Sequence, residues 1–406
     1  MRKKSILLTL ILMGFVLGGT YAQIPLVYDV ENRGASCAEP PLPLPDDLPN
    51  YPFLPDPFAW SDGSGLIEGF DDWSCRRNEI MAEIMKYEIG PKPPRPDNIT
   101  ATLVGDLLTV SITENSETLV LTSTVVMPEG DGPFPVVIGM NSGTGSIAAS
   151  LFEGVIQVPF MHNQVVTSSH QGVRDPNAAY FRLYPELEHV GYYSAWSWGI
   201  SRLIDGLEIV QEDLKANLER IAVSGCSYGG KMALFAGAFD ERIALTIAQE
   251  SGGGGINAWR VAEALERNVE KIDNTNYSWF MQSMKTNFEG RVGNLPHDHH
   301  ELMAMIVPRA LIVLGNPEFE WLGDEAGYVA CKGAEKVYEA FGLEDRFGYS
   351  FRGNHGHCSL PDQSIPEVQA FIDKFLHGDE TAETSIRVSE DFLEPIEPDA
   401  RIQWGH

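Results

Sequence analysis

Apolar runs and amphipathic segments alternate along most of the chain. Strands are predicted for the apolar or β-branched runs at residues 99–112, 118–127, 134–140, 221–223, 243–248, 310–314 and 347–351. Helices are predicted where apolar residues recur every three or four positions, at 73–89, 195–211, 232–239, 257–269, 302–306, 326–341 and 367–376. We expect the first two strands to pair antiparallel at a sheet edge and the others to alternate with helices. This α/β pattern predicts a three-layer sandwich, in which helices cover both faces of a mostly parallel central sheet.

Both ends of the chain lack this alternation. Three basic residues, a short apolar stretch and small residues up to Ala22 predict a bacterial signal peptide at residues 1–22, and hence a secreted or periplasmic protein. The apolar stretch is shorter than the ~20 residues that a membrane span needs. Residues 23–72 are rich in proline and are expected to form an arm packed on one domain at 73–378. Residues 379–406 are acidic and aperiodic, and we expect them to form a tail beyond the last strand.

The net charge of the chain limits its possible binding partners, and the number of cysteines limits its possible disulfides. The formal net charge of −28 argues against nucleic acid and anionic membranes as partners, and we interpret it as a solvated acidic surface. His297, His299 and His300 form a cluster in the sequence. We favour a structural role for this cluster, in a turn and a helix cap, over a metal site. Two disulfides and one free thiol are expected in an exported chain with five cysteines, whose spacing alone does not assign the pairs: Cys37, Cys75, Cys226, Cys331 and Cys358.

A glycine-rich turn joins the strand at 221–223 to the helix at 232–239. Its residues Gly225, Ser227 and Gly229 form Gly-x-Ser-x-Gly, which between a strand and a helix predicts a nucleophile elbow rather than an ordinary turn. In that conformation the serine hydroxyl stands at the top of a parallel sheet, close to backbone N–H groups at a helix N-terminus.

A nucleophilic serine needs a base, and the base needs an acid that orients it. The loop after the strand at 347–351 contains His355 and His357, and the residues alone do not separate these two candidates. Glu250 ends the strand that follows the elbow helix. Glu318 and Glu320 follow the next strand, where α/β-hydrolases more often place the acid. Each choice gives the chain order nucleophile, acid, histidine that is typical of α/β-hydrolases.

Two further features lie near the predicted nucleophile. Lys231 is one helical turn beyond Ser227, so it either donates to substrate or is a solvated or packing lysine. The small-residue loop 141–145 follows the strand at 134–140, and the corresponding loop of α/β-hydrolases supplies an oxyanion donor.

The elbow resembles a known family motif. Gly225-Cys-Ser-Tyr-Gly-Gly-Lys231 is similar to the Gly-Cys-Ser-Arg-x-Gly-Lys motif of glucuronoyl esterases, carbohydrate esterase family 15, which have the α/β-hydrolase fold. The resemblance spans about residues 37–376. It includes Trp73-Ser-Cys-Arg-Arg77, Trp196-Ser-Trp-Gly-Ile-Ser-Arg202, Gln249-Glu-Ser-Gly252, Leu295-Pro-His-Asp-His-His300, Glu320-Trp-Leu-Gly323 and His355-Gly-His-Cys358.

The resemblance implies a role for each residue of the site. The nucleophile is Ser227, the acid is Glu250 and the base is His357. The backbone N–H of Tyr228 is implied as an oxyanion donor. Contacts to the glucuronate ring are implied for Lys231, Glu270 and Trp321.

The resemblance also implies the pairing of the cysteines. Cys226 pairs with Cys358, which ties the neighbour of the nucleophile to the neighbour of the base. Cys37 pairs with Cys75 and holds the arm. Cys331 stays free, because alanine stands where the family has its partner cysteine.

One residue departs from the family motif. Tyr228 stands where the family has an arginine, whose side chain is thought to help stabilise the oxyanion. The loss of such a donor costs roughly 10²–10³ in rate if nothing replaces it. Slow turnover or a shifted substrate is therefore expected, unless the tyrosine hydroxyl donates instead.

Together these features predict a secreted serine esterase that acts on esters of (4-O-methyl-)glucuronate, as in the cross-links between lignin and glucuronoxylan. We expect a polysaccharide-linked substrate, a monomer, and no metal or cofactor. One alternative is an esterase for another uronate or sugar ester. Another is a carbohydrate-binding homologue whose catalysis is weakened by Tyr228.

Overall fold

The computed structural model describes residues 24–168, 172–390 and 392–405, so the signal peptide predicted at 1–22 lies outside the described residues. The strands are β1 Asn98–Val104, β2 Leu107–Glu114, β3 Glu117–Thr124, β4 Phe134–Met140, β5 Ile156–Phe160, β6 Ala216–Cys226, β7 Ile243–Gln249, β8 Ala310–Gly315, β9 Phe347–Phe351 and β10 Arg387–Ser389. The α-helices are α1 Phe70–Ile84, α2 Ala179–Leu183, α3 Tyr192–Ile209, α4 Gln211–Leu214, α5 Tyr228–Phe239, α6 Trp259–Ala264, α7 Gln282–Phe288, α8 His299–Ala304, α9 Asp324–Ala340 and α10 Ile365–Ile372. None of these helices is long and apolar enough to cross a membrane.

Within the described residues, seven strands form one parallel sheet in the order β10-β9-β8-β7-β6-β4-β5. Successive side chains of a strand point to opposite faces, so a strand that is covered on both faces needs an unbroken apolar run. In β8, Leu311 and Val313 join the core that contains α3 and α5, whereas Ile312 and Leu314 join a second core with Phe371 of α10. The predicted three-layer sandwich is confirmed.

The parallel direction of the sheet decides where a site can form. All seven strands point the same way, so the loops after β4, β6, β7, β8 and β9 leave from one edge of the sheet. In open α/β sheets, ligands bind at this carboxyl edge. The predicted nucleophile, both candidate histidines and the candidate acids all lie on these loops.

The antiparallel strands form a sheet of their own. β1, β2 and β3 pair as predicted in direction, but their expected place at the edge of the large sheet is wrong. The Gly-Asp pair at residues 105–106 makes a turn and splits the run 99–112 into two strands. An isolated bridge from Val126 to Gln157 connects this region to β5. The sequence did not predict β5, whose polar Gln157 and Pro159 suit an edge strand.

The C-terminal residues belong to the domain and are not a separate tail. β10 extends the large sheet beyond β9, so the prediction that 347–351 is the last strand is wrong. Ile402 and Trp404 are buried, and Trp404 Nε1 donates to the Leu54 carbonyl at 3.0 Å. The strand β10 has only three residues, and Ile402 and Trp404 are isolated apolar positions, so residues 379–406 show no periodic pattern. For this reason the sequence predicted a tail.

The helix predicted at 257–269 is shorter than expected. It ends at Ala264, and the following residues form a loop that leads to Glu270. Arg267 in this loop forms ion pairs with Glu325 and with Glu394. These long-range ion pairs override the local helical periodicity.

Candidate active site

Ser227 lies at a sharp turn between β6 and α5. Its φ of 58° and ψ of −127° are unusual for a residue with a side chain, as a nucleophile elbow requires. The turn brings three backbone segments together. A Cβ at Gly225 would lie 2.2 Å from the Gly229 carbonyl oxygen, and a Cβ at Gly230 would lie 2.4 Å from that of Gln249. Glycine is therefore required at 225 and 230 by close packing.

The structure separates the two candidate histidines. His357 Nδ1 lies 2.7 Å from Glu250 Oε2, and its half-buried ring lines a cavity that also contains Ser227. His355 Nδ1 lies farther from the same carboxylate, 3.7 Å from Glu250 Oε1, and its Nε2 lies 2.9 Å from the Arg352 carbonyl. The His355 side chain is 7% exposed against 28% for His357. Of the two rings, His357 is the one that lies within hydrogen-bond distance of Glu250 and lines the cavity.

Glu250 is held from several sides. The side chain is buried, and its Oε1 accepts hydrogen bonds from the Cys358 N–H at 3.1 Å and from Gln249 Nε2 at 3.3 Å. Its backbone N–H donates to the Leu314 carbonyl on β8 at 2.6 Å. A carboxylate with fixed position beside a histidine Nδ1 can select the ring tautomer and orientation.

The competing acids after β8 have other surroundings. Glu318 accepts a hydrogen bond from the Asn354 N–H at 2.7 Å, and Glu320 begins a short 3₁₀ turn. A further acid, Asp324, is buried and accepts a hydrogen bond from the Asn316 N–H. Burial, together with the charge of Glu250, raises the pKa of Asp324 to about 8, so it is neutral near pH 7. Glu250 is thus the predicted acid that the fold brings to His357.

The disulfides follow the implied pairing. Cys226 is bonded to Cys358 and Cys37 to Cys75, while Cys331 is buried and free. The Cys226–Cys358 bond joins the end of β6 to the loop after β9. It therefore ties the residue before Ser227 to the residue after His357.

A cavity of about 520 Å³ opens beside Ser227 and His357. Lys231 Nζ lies 2.6 Å from Glu270 Oε2 in its wall and 5.0 Å from the centre of the Trp279 ring. Glu270 also accepts from Thr275 Oγ1 at 2.6 Å. Trp321 lines the same cavity. The structure therefore brings all three predicted sugar contacts together with the serine and the histidine.

Tyr228 lies next to this cavity, and its side chain is packed in place. The ring is stacked on Trp279, with centroids 6.1 Å apart and planes 16° apart. Its hydroxyl accepts a hydrogen bond from Asn141 Nδ2 at 3.0 Å. Burial raises the pKa of Tyr228, so the phenol keeps its proton at neutral pH.

Comparison with known proteins identifies the family. A family model described as glucuronyl esterase, fungi, matches residues 110–342. The 4-O-methyl-glucuronoyl methylesterase of Podospora anserina is 36% identical over 87% of this chain and 73% of its own. The chain belongs to the glucuronoyl esterase family. Its members are carboxylic ester hydrolases, and the enzyme of the same name from Phanerochaete carnosa is 34% identical over 94% of both chains.

Solved glucuronoyl esterases share the whole fold of this family member. The catalytic domain from Hypocrea jecorina has a TM-score of 0.81 at 33% identity and covers 90% of this chain and 98% of its own. The Sporotrichum thermophile enzyme, solved as a variant in complex with methyl 4-O-methyl-beta-D-glucopyranuronate, also has a TM-score of 0.81, at 32% identity, covering 88% of this chain and 95% of its own. The predicted α/β-hydrolase fold is confirmed. The bacterial origin inferred from the N-terminus is not supported by these comparisons, which leave the source of the chain open.

The sequence prediction missed two aromatic residues of this glucuronoyl esterase site. Trp279 forms part of the cavity wall and contacts both Lys231 and Tyr228. Phe319 stacks on the His357 ring with centroids 4.4 Å apart and planes 4° apart. Both residues lie outside regular helices and strands, so no periodicity marks them, although Phe319 stands between the two glutamates considered as acids.

The three histidines of the cluster are buried, and the helix cap that was expected of them is formed by Asp298 instead. Asp298 caps α8 in a capping box. His297 Nε2 and His299 Nε2 each lie 2.8 Å from the carboxylate of buried Glu88. Burial favours the neutral Glu88, but the two histidines outweigh it and lower its pKa to about 2. For His299, burial opposes protonation, yet Glu88 raises its pKa above the ordinary value.

His299→Gln is expected to destabilise the family member by about 3 kcal/mol near pH 6, because it leaves Glu88 with a broken buried ion pair. A histidine with a raised folded-state pKa stabilises fully below its unfolded-state value, and this contribution is lost as the pH rises through the folded-state pKa. The cost should therefore shrink at alkaline pH. Urea unfolding of both proteins, with exposed His189→Gln as the control, measures this; an equal cost at both pH values contradicts it.

Proposed function

We propose that this protein is a secreted serine esterase that hydrolyses esters of 4-O-methyl-glucuronate, as found between glucuronoxylan and lignin alcohols. The observation that carries the proposal is one cavity that combines Ser227, the His357–Glu250 pair and the Lys231–Glu270 pair. Ser227, His357 and Glu250 suit acyl transfer. Lys231 and Glu270 suit the binding of a polyhydroxy acid. The names of the relatives supply the substrate class.

In the proposed reaction, Glu250 accepts a hydrogen bond from His357 Nδ1, which leaves Nε2 as the proton acceptor. Ser227 Oγ transfers its proton to Nε2 and attacks the ester carbonyl carbon. The tetrahedral intermediate collapses, and the imidazolium gives its proton to the leaving alcohol oxygen. Water, deprotonated by His357, then hydrolyses the glucuronoyl-serine ester and regenerates the hydroxyl.

The oxyanion of the intermediate needs donors beside Ser227. Tyr228 is the first residue of α5, so its backbone N–H lies at the positive end of the helix dipole. The loop 141–145 follows β4, which neighbours β6 in the sheet. We assign the oxyanion to donors from these two segments.

The sugar binds on the other side of the cavity in this proposal. Lys231 Nζ can donate to ring hydroxyls, and Glu270 can accept from them. Trp321 is 39% exposed and offers an aromatic surface to the sugar ring. An esterified carboxyl group carries no charge, so these groups recognise hydroxyls and ring shape.

A substrate panel tests this function. We expect benzyl and methyl glucuronate to be hydrolysed with a higher kcat/KM than the methyl ester of galacturonate, whose 4-hydroxyl is inverted, and than acetyl esters. Preference for galacturonate ester would indicate the alternative function on another uronate. Sugar binding without turnover of any ester would favour the carbohydrate-binding alternative, which is motivated by Tyr228.

Lys231→Met is expected to raise KM for benzyl glucuronate by about 10–100-fold, the cost of a lost charged hydrogen bond. Hydrolysis of p-nitrophenyl acetate should change little, because acetate does not reach this wall. Lys86→Met, which removes an exposed lysine that does not line the cavity, is the control. An equal loss on both esters would show that Lys231 supports the fold or the chemistry instead of the sugar.

Secretion is part of the proposal, and it rests on the signal-peptide pattern at residues 1–22. We propose a monomer that acts without a metal or cofactor. N-terminal sequencing of the protein from the culture medium of an expressing host tests the cleavage: the expected product begins after Ala22, and a retained N-terminus contradicts it.

A further inference from the structure

Three residues from different segments form a hydrogen-bonded chain that includes the neighbour of Ser227. Asn141 directly follows β4, His162 follows β5 and Tyr228 follows the serine. Asn141 Nδ2 donates to Tyr228 Oη at 3.0 Å, and Asn141 Oδ1 is hydrogen-bonded to His162 Nδ1. Because β4, β5 and β6 are parallel neighbours, their carboxyl ends bring these residues to one corner of the site.

The chain of hydrogen bonds has one direction. The Asn141 carbonyl oxygen can only accept, so His162 carries its proton on Nδ1 and donates it. The amide nitrogen can only donate, so Tyr228 Oη is the acceptor of the second bond. The phenol hydrogen is therefore not used in the bond to Asn141, where Tyr228 Oη acts as the acceptor.

The packing holds this chain in a single arrangement. Asn141 has a φ of 64°, in the left-handed region that asparagine tolerates better than most residues, and its N–H donates to the Phe160 carbonyl at 2.9 Å. The His162 ring meets the Trp196 ring edge-on at 5.2 Å and the Tyr228 ring at 5.7 Å. Each member is thus fixed by backbone or ring contacts in addition to its hydrogen bonds.

We propose that Asn141 and His162 are positioning residues that hold the Tyr228 hydroxyl as a donor to the oxyanion. The phenol belongs to the residue after the nucleophile and is hydrogen-bonded to Asn141 in the loop after β4, so it connects the two segments to which the oxyanion is assigned. A hydrogen bond accepted at Oη strengthens donation by the same hydroxyl. Tyr228 then supplies from its side chain what the arginine of the family motif supplies, and the inference rests on the proposed esterase function.

A double-mutant cycle tests the inference on benzyl glucuronate and p-nitrophenyl acetate. Tyr228→Phe should lower kcat by about 10² on both esters with little change in KM, the cost of one oxyanion donor. Asn141→Ala should lower kcat about tenfold, the cost of one hydrogen bond, and should have no further effect in the Tyr228→Phe background. Tyr87→Phe, which deletes a remote hydroxyl bonded to the Pro43 carbonyl, should keep wild-type kcat.

Near-isosteric variants separate donation from packing. Asn141→Asp can only accept, so it draws the phenol hydrogen to itself and should lower kcat as much as Tyr228→Phe does. His162→Phe keeps a ring but loses the donor, whereas His162→Asn can still donate to Asn141. We therefore expect His162→Asn to retain more kcat than His162→Phe, with unfolding midpoints of all variants measured alongside.

Two results overturn the inference. One is wild-type kcat in Tyr228→Phe on both esters, and the other is an equal loss from Asn141→Ala with and without the Tyr228 hydroxyl. Failure of the proposed glucuronate substrate can be distinguished from failure of this inference. If the protein hydrolyses p-nitrophenyl acetate through Ser227, the variants still show whether Tyr228 stabilises the oxyanion. A wild type that cleaves neither ester overturns both proposals.

Discussion

Ser227→Ala is expected to lower kcat for benzyl glucuronate by on the order of 10⁶, to the level left by the remaining binding and oxyanion groups. Alanine removes the attacking oxygen but changes little else. The strained φ of 58° is equally demanding for serine and alanine, and the Cys226–Cys358 bond beside it is unaffected. Steady-state kinetics of purified wild type and variant measure the effect, with the unfolding midpoint as a check on folding.

Ser123→Ala is the matched control for this substitution. Ser123 is buried, and its hydroxyl donates to the Pro159 carbonyl at 2.9 Å, away from the residues that line the cavity. We expect wild-type kcat in this variant. Equal activity of wild type and Ser227→Ala would refute the serine mechanism, and the cavity would then need another nucleophile.

Glu250→Gln is expected to lower kcat by about 10⁴, with KM nearly unchanged. The amide cannot stabilise an imidazolium, and its N–H₂ group placed toward Nδ1 would select the wrong ring tautomer. Glu250 also accepts the Cys358 N–H, which an amide oxygen can still do if it faces that way. The loss should therefore come from the histidine and not from collapse of the loop after β9.

Glu318→Gln and Glu320→Gln are the controls that decide between the acids. Both glutamates follow β8, where α/β-hydrolases more often place the acid. We expect each of the two variants to keep a kcat within about a factor of three of the wild-type value, as is usual for surface substitutions. Glu318 bonds the Asn354 N–H, so its variant also tests whether this loop contact matters. A 10⁴-fold loss in either variant, with a small loss in Glu250→Gln, would move the acid to β8.

Much of this site could be predicted because it depends on local chemistry. An unbroken apolar run, a glycine-rich turn and a helix are consecutive in the chain, so the elbow at Ser227 is visible in the sequence. The same holds for the parallel sheet, whose doubly covered strands must be apolar throughout. The disulfide pairs and the site roles came from resemblance to a family, since spacing allowed several pairings.

Features that depend on distant segments could not be predicted. The three-residue strand β10 exists because β9 offers it an edge, and the segment 257–269 loses its helix to ion pairs of Arg267. Trp279 and Phe319 lie on irregular loops, where side-chain direction follows from tertiary contacts. Neither residue type nor period reveals such contacts in advance.

By itself, the sequence determined an α/β sandwich, a serine at a strand-to-helix turn, and a short set of histidines and acids downstream. Family resemblance named His357 and Glu250, but only the tertiary structure places their side chains 2.7 Å apart. The two residues are 107 positions apart in the chain, and the parallel sheet brings their loops to one edge. The same edge brings Asn141 and His162 to Tyr228. Hydrogen bonds act over about 3 Å, so partners that are remote in the chain are selected by the fold.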